Sequence, residues 1–190
     1  MYRPPHPSQK APVGFTAAGS PVSRTRRYPG GMPVIVVGAD TPLGRLTIDR
    51  LDGTVGELRA FVSDAREAET LRERGVKVAV GDVSDGSHVG GAATNAFCAV
   101  LLADAAVDDR ERSFANDPPA VVAAWMDALA EAGVRRVIWP EHTAVPGGPR
   151  PIGSVAIGLV ATADRPPAEV VDDIGALEAA EGWPPAPEPA

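Results

Sequence analysis

Thiols are almost missing from this chain: of 190 residues only Cys98 carries one, so no internal disulfide can form. It falls within the apolar run 96–102, where a buried core thiol is expected rather than a nucleophile. Tyrosine and lysine are equally scarce, at Tyr2, Tyr28, Lys10 and Lys77. No apolar stretch approaches the roughly 18 residues of a membrane span. Nothing at the start resembles the apolar segment of a signal peptide, so the expected compartment is the cytoplasm, with no membrane partner. His88 and Cys98 have no metal-ligand spacing with His142, and no metal is expected. Acidic residues are missing from residues 1–33, which carry Arg3, Lys10, Arg24, Arg26, Arg27 and seven prolines. The remainder holds 25 acids against 13 bases, a balance that repels nucleic acid.

That imbalance divides the chain. Residues 1–32 read as a disordered, basic, proline-rich arm, whether a phosphate-binding arm, an organellar presequence or an extension upstream of Met32. Residues 33–182 have the composition and length of one domain, and 183–190, with four prolines, read as a loose tail.

The body is organised around Val34-Ile35-Val36-Val37-Gly38-Ala39-Asp40-Thr41-Pro42-Leu43-Gly44-Arg45. Four β-branched residues predict a strand buried on both faces, followed by a tight turn into a helix. Gly38 allows the turn, and Gly44 lets the helix approach the first strand or a cofactor closely. An anion, best a pyrophosphate, is expected over the helix start, held around Gly38, Asp40, Thr41, Pro42, Leu43, Gly44 and Arg45. Thr41 stands where a middle glycine would otherwise be, which requires that this position avoid positive φ.

Strands and helices then alternate. A helix over 43–51 puts Leu43, Leu46, Thr47 and Leu51 near one face, and a second strand follows at 58–62. Asp64 caps the next helix, with Glu67 closing a capping box. A third strand spans 76–80, a weak glycine-interrupted helix opens at Asp85, and a fourth strand spans 97–102. Residues 104–114, with six charges, read as a solvated loop or lid. Asp117 caps a helix over 118–132 whose Val121, Val122, Trp125, Met126 and Leu129 face inward. Strands at 134–139 and 154–161 and a helix over 167–181 complete the body. The pattern predicts an α/β fold: a doubly wound, parallel, Rossmann-like sheet in a single domain, with strand order 3-2-1-4-5 and a sixth strand beside the fifth.

The glycine turn, Asp82-Val83 after the third strand, and Ala132-Gly133-Val134-Arg135-Arg136-Val137-Ile138-Trp139 together resemble the atypical short-chain dehydrogenase/reductase superfamily, in particular NmrA-like, NAD(P)H-binding proteins. The likeness spans about residues 33–143. It implies a nicotinamide dinucleotide as partner, with Asp82 accepting from the adenine amino group, Val83 packing beside the ring, and Ala103 and Asp104 along the nicotinamide-side ribose. At the end of the second strand such proteins often show Arg-Asp, where this chain has Ser63-Asp64. Arg45 and Arg66 could take over a 2′-phosphate, and Asp64 could instead hold the ribose hydroxyls or only cap its helix. The cofactor expected is NADP or NAD, with NADP slightly ahead.

The superfamily's Tyr-x-x-x-Lys pair is missing, because both tyrosines lie in the arm. The candidate acid/base group is Glu141-His142-Thr143 at the end of the fifth strand, unless His142 only shapes the pocket. Two functions follow: an atypical oxidoreductase transferring hydride between the cofactor and a small molecule, or a dinucleotide-binding redox sensor without turnover. Oligomeric state has no sequence signal here.

Overall fold

The computed structural model describes residues 32–110 and 112–183. Expectations for the arm before Met32 and for residues 184–190 lie outside the described residues. Six parallel strands form one sheet in the order β3-β2-β1-β4-β5-β6, as the alternation predicted: β1 Pro33–Val37, β2 Glu57–Val62, β3 Lys77–Val80, β4 Cys98–Leu101, β5 Arg136–Pro140 and β6 Ala156–Val160. The reversal of strand order lies between β1 and β4, which pair in register from Val34 opposite Cys98 to Val37 opposite Leu101. A groove above the carboxyl ends is expected at that switch point.

β1 explains the two-layer core. Val34 and Val36 pack on one face with α1 (Pro42–Leu51), α2 (Ala65–Glu73) and α6 (Pro167–Ala179). Ile35 and Val37 pack on the other with α3 (Gly86–Ala93) and α5 (Pro118–Glu131). All four are fully buried, as a central strand covered on both faces requires. Cys98 and Trp125 are core residues too, and the Trp125 indole N–H donates to the Val83 carbonyl.

The weak helix α3 forms because its glycines make room for α5. A Cβ on Gly86 would lie 2.7 Å from the Ala124 carbonyl oxygen, and one on Gly90 3.0 Å from the Ala128 Cβ. Helix propensity is thus traded for close approach of the two axes. Asp85 caps α3 by accepting from the Ser87 and His88 N–H groups.

Three local expectations are corrected. Gly44, Thr47, Ile48 and Leu51, at i, i+3, i+4 and i+7, form the inward face of α1, which leaves Leu46 off that stripe and 40% exposed. Residues Asp104–Val107 form a helical turn, α4, with Ala105 and Ala106 buried, where the charge density had suggested only loop. Trp183 is packed rather than loose: its indole N–H donates to the Leu177 carbonyl, and Arg136 lies between its ring and Phe97, 5.1 and 5.0 Å from the two centroids. No helix among the described residues is long and apolar enough to cross a membrane.

Candidate functional site

The turn after β1 is held by its own atoms. Gly38 has φ +83°, open to glycine but strained for other residues. Thr41 is the N-cap of α1 at φ −77°; its hydroxyl donates to the Gly38 carbonyl at 2.8 Å and accepts from the Gly44 N–H at 3.0 Å. A threonine therefore serves here without positive φ, as required, and supplies a cap that glycine would lack. Between the two roles left open for Gly44, the contacts name the first. A Cβ there would stand 2.2 Å from the Gly38 carbonyl oxygen and 2.8 Å from Ala39 backbone atoms, so the residue serves helix–strand packing. The N–H groups of Thr41, Gly44 and Arg45 all have partners within the turn, and Pro42 has none to offer. Among the described residues this leaves the Leu43 N–H as the unpaired donor of the first turn, facing the position where an anion is expected.

Toward β2 and β3 the polar side chains are bonded to one another. Asp40, only 8% exposed, accepts through Oδ2 from the Ser63 and Asp64 N–H groups at 2.8 and 3.0 Å, and from Arg110 Nη1. Asp64 does cap α2, accepting from the Arg66 N–H. The capping box does not form, because Asp40 takes the Asp64 N–H that Glu67 would have reached. Glu67 instead pairs with Arg45 at 2.9 Å, which commits one of the two arginines expected for a 2′-phosphate; Arg66 is exposed. The Ser63 hydroxyl donates to the Gly81 carbonyl.

Asp82 accepts from the Ser84 N–H and hydroxyl through Oδ1 and from the Ser113 N–H through Oδ2. Burial alone would push its carboxyl up, but these hydrogen bonds outweigh it and hold it below the usual carboxylate value. An adenine amino group would share this carboxylate with Ser113. Val83 is fully buried in the core, so its side chain has no surface to offer a ring. The segment after α4 thus folds back over β1 and β3: Arg110 on Asp40, Ser113 on Asp82, and the Phe114 N–H on the Ser84 hydroxyl. No sequence signal announced Arg110, which lies 70 residues from its partner Asp40.

Toward β5 and β6 the groove is open. A cavity of about 200 Å³ is lined by Leu43, Leu102, Ala103, Asp104, Pro140, Glu141, His142 and Thr162. A second of about 290 Å³ shares Leu43, Asp104 and Thr162 and extends to Leu46, Arg165 and Val170. Leu46 thus lines a cavity, not the core. His142 is half-buried, with Nδ1 accepting from the Ala144 N–H at 3.1 Å. That bond assigns the proton of the neutral ring to Nε2, which stands 3.7 Å from Asp104 Oδ1. Glu141 lies on the cavity wall, its carbonyl accepting from the Thr162 hydroxyl, and Thr143 is exposed to solvent. Of the three candidates, His142 alone has a carboxylate partner across the groove. Sequence separation concealed that pair, because Asp104 follows β4 and His142 follows β5, with α5 between them.

A family model described as NAD(P)H-binding matches residues 38–157. No curated protein sequence matches the chain. Among solved structures, anaerobillin reductase ChuY from Escherichia coli O157:H7 aligns with TM-score 0.60 at 16% identity, over 79% of this chain and 92% of its own. Triphenylmethane reductase from Citrobacter sp., complexed with NADP(H), aligns with TM-score 0.48 at 22% identity, over 58% of this chain and 38% of its own. The NADPH complex of a quinone oxidoreductase from E. coli aligns with TM-score 0.48 at 19% identity, over 77% and 45%. This chain therefore spans less than half the length of the latter two. These likenesses concern the fold, whereas the family match covers most of the body: the chain belongs to the NAD(P)H-binding family.

Proposed function

We propose that this family member lays a nicotinamide dinucleotide across the carboxyl ends of its strands and acts in the cytoplasm as an atypical oxidoreductase on a small molecule. The pyrophosphate lies over Thr41, Leu43 and Gly44, the adenosine toward Ser63, Asp64 and Asp82, and the nicotinamide toward Ala103 and His142. The observation that carries the reading is the His142–Asp104 pair on the wall of a cavity that also touches Leu43 of the glycine turn. When bound, the nicotinamide supplies the hydride chemistry. The chain's own residues do the rest: Leu43 offers a backbone donor to the anion, Leu43, Leu46 and Val170 line an apolar floor, and His142 holds a proton at Nε2. The Ala144 N–H on Nδ1 fixes the ring so that Nε2–H is presented as a hydrogen-bond donor to a substrate oxygen, with the Asp104 carboxylate beside it.

A sensor without turnover is the second reading. It is favoured by the lack of any tyrosine in residues 29–190, which removes the superfamily's usual proton donor. One experiment addresses both: calorimetric titration of the full chain with the reduced and oxidised nucleotides, followed by quinone, carbonyl and enone panels under reduced cofactor. Binding with turnover of any panel member supports the oxidoreductase. Binding with none supports the sensor, and failure of all four nucleotides to bind removes both. A preference for NADP over NAD needs Arg45 and Arg66 to hold a 2′-phosphate, and Arg45 is paired with Glu67.

A further inference from the structure

Asp40 belongs to the glycine turn, but its side chain works at the end of β2. One oxygen spans two consecutive backbone N–H groups, Ser63 at 2.8 Å and Asp64 at 3.0 Å. Arg110 closes over the carboxylate, its Nη1 3.0 Å from Oδ1 and 3.1 Å from Oδ2, while also pairing with Asp108. A carboxylate held by paired backbone donors and a guanidinium is bound as an external oxyanion would be. The place it fills matters, because in this fold the residues at the end of β2 meet the adenosine ribose, and a 2′-phosphate needs donors there.

Resting on the dinucleotide reading above, we infer that Asp40, buttressed by Arg110, makes this chain select NAD over NADP. A ribose bearing two hydroxyls needs an acceptor, and the exposed Asp64 carboxylate supplies it beside the buried Asp40 charge. A 2′-phosphate is an anion that needs donors, and both backbone donors are taken. The nearest guanidinium already faces two carboxylates. Arg45 is bound to Glu67, and Arg66 stands beside Asp64. Displacing Asp40 does not help the phosphate, since the side chain, 4% exposed, would leave a buried charge without its partners. The charge that discriminates is part of the cofactor turn itself, not of the β2 end where sequence reading looks for it.

The test is calorimetry of the full chain with NADH and NADPH. The unmodified protein should bind NADH at least about tenfold more tightly, like-charge juxtaposition being costly. Asp40→Asn keeps one oxygen that can accept from both N–H groups and removes the charge. It should shift the affinity ratio toward NADPH by about tenfold or more. Should that variant fail to fold, Arg110→Gln removes the nearest cation and should widen the preference for NADH. Tighter or equal binding of NADPH by the unmodified protein overturns the inference while leaving the cofactor reading intact. An unchanged ratio in a folded Asp40→Asn, or in Arg110→Gln, overturns it as well. Binding of neither nucleotide by the unmodified protein defeats the cofactor reading and this inference with it.

Discussion

Above β1, β2 and β3, Asp40 pairs with Arg110 and Asp82 accepts from Ser84 and Ser113, whereas above β4, β5 and β6 Asp104 and His142 face each other at 3.7 Å across an open cavity. The first region is a closed network that a ligand enters by exchanging bonds. The second is a space with two titratable groups on its wall. The bonded cluster and the open cavity thus sit on opposite sides of the strand-order reversal, with the glycine turn between them. A network closed without ligand keeps its shape, and a histidine on an open wall can present its Nε2–H to whatever enters.

Perturbations sharpen this contrast in order of size. Gly44→Val strikes the turn shared by the two regions, and with a Cβ placed 2.2 Å from a backbone oxygen it should cost about 3 kcal/mol or more, or prevent folding. Denaturant unfolding measures the loss; a variant of unaltered stability would show that helix and strand are not wedged together at this residue. On the open side, His142→Ala should lower turnover of any substrate found by at least about tenfold, with nucleotide affinity nearly unchanged. Equal turnover would reduce His142 to a wall of the cavity. In the turn itself, Thr41→Ala removes the cap of α1 and should cost about 1 kcal/mol, read as a lower denaturation midpoint.

The closed side also has a pH signature. Hydrogen bonds hold the Asp82 carboxyl below its ordinary value, and the Ser87 hydroxyl does the same for Asp85. A depressed folded pKa stabilises the native state above the unfolded value and loses that contribution as pH falls through the folded one. Thermal stability should therefore stay level above about pH 5 and decline below about pH 4. Asp82→Asn should flatten the decline. The smallest effect concerns the core: burial pushes the Cys98 thiol up, so a thiol reagent should label it only as fast as the protein unfolds.

What could be read from the sequence follows the range of the forces involved. The β-branched run 34–37, the caps at Asp64 and Asp117 and the inward stripe of α5 are local patterns, and each stands where the sequence pattern places it. Glu67 shows how a local rule loses: the capping box fails because a carboxylate 24 residues upstream reaches the Asp64 N–H first. The turn at Asp104–Val107 was hidden under a run of charges, since two buried alanines hardly mark a helix. Asp40–Arg110 and Asp104–His142 needed the crossovers to be folded before they could meet. In the candidate site, the residues of the glycine turn were legible, but the partner each side chain chooses was not.

Trp139 gives the open region a light source. It is 1% exposed at the end of β5, three residues before His142, and its indole nitrogen lies against Gly148 on the loop that follows. Indole emission overlaps the absorption band of reduced nicotinamide, so the strand that carries the acid/base candidate also carries a donor for resonance energy transfer. Trp125 is equally buried but belongs to α5, with its indole N–H on the Val83 carbonyl, and Trp183 sits at the amino ends of the strands beside Arg136. The three indoles therefore mark three places in one fold, and their quenching by a reduced nucleotide would report which end of the sheet it occupies.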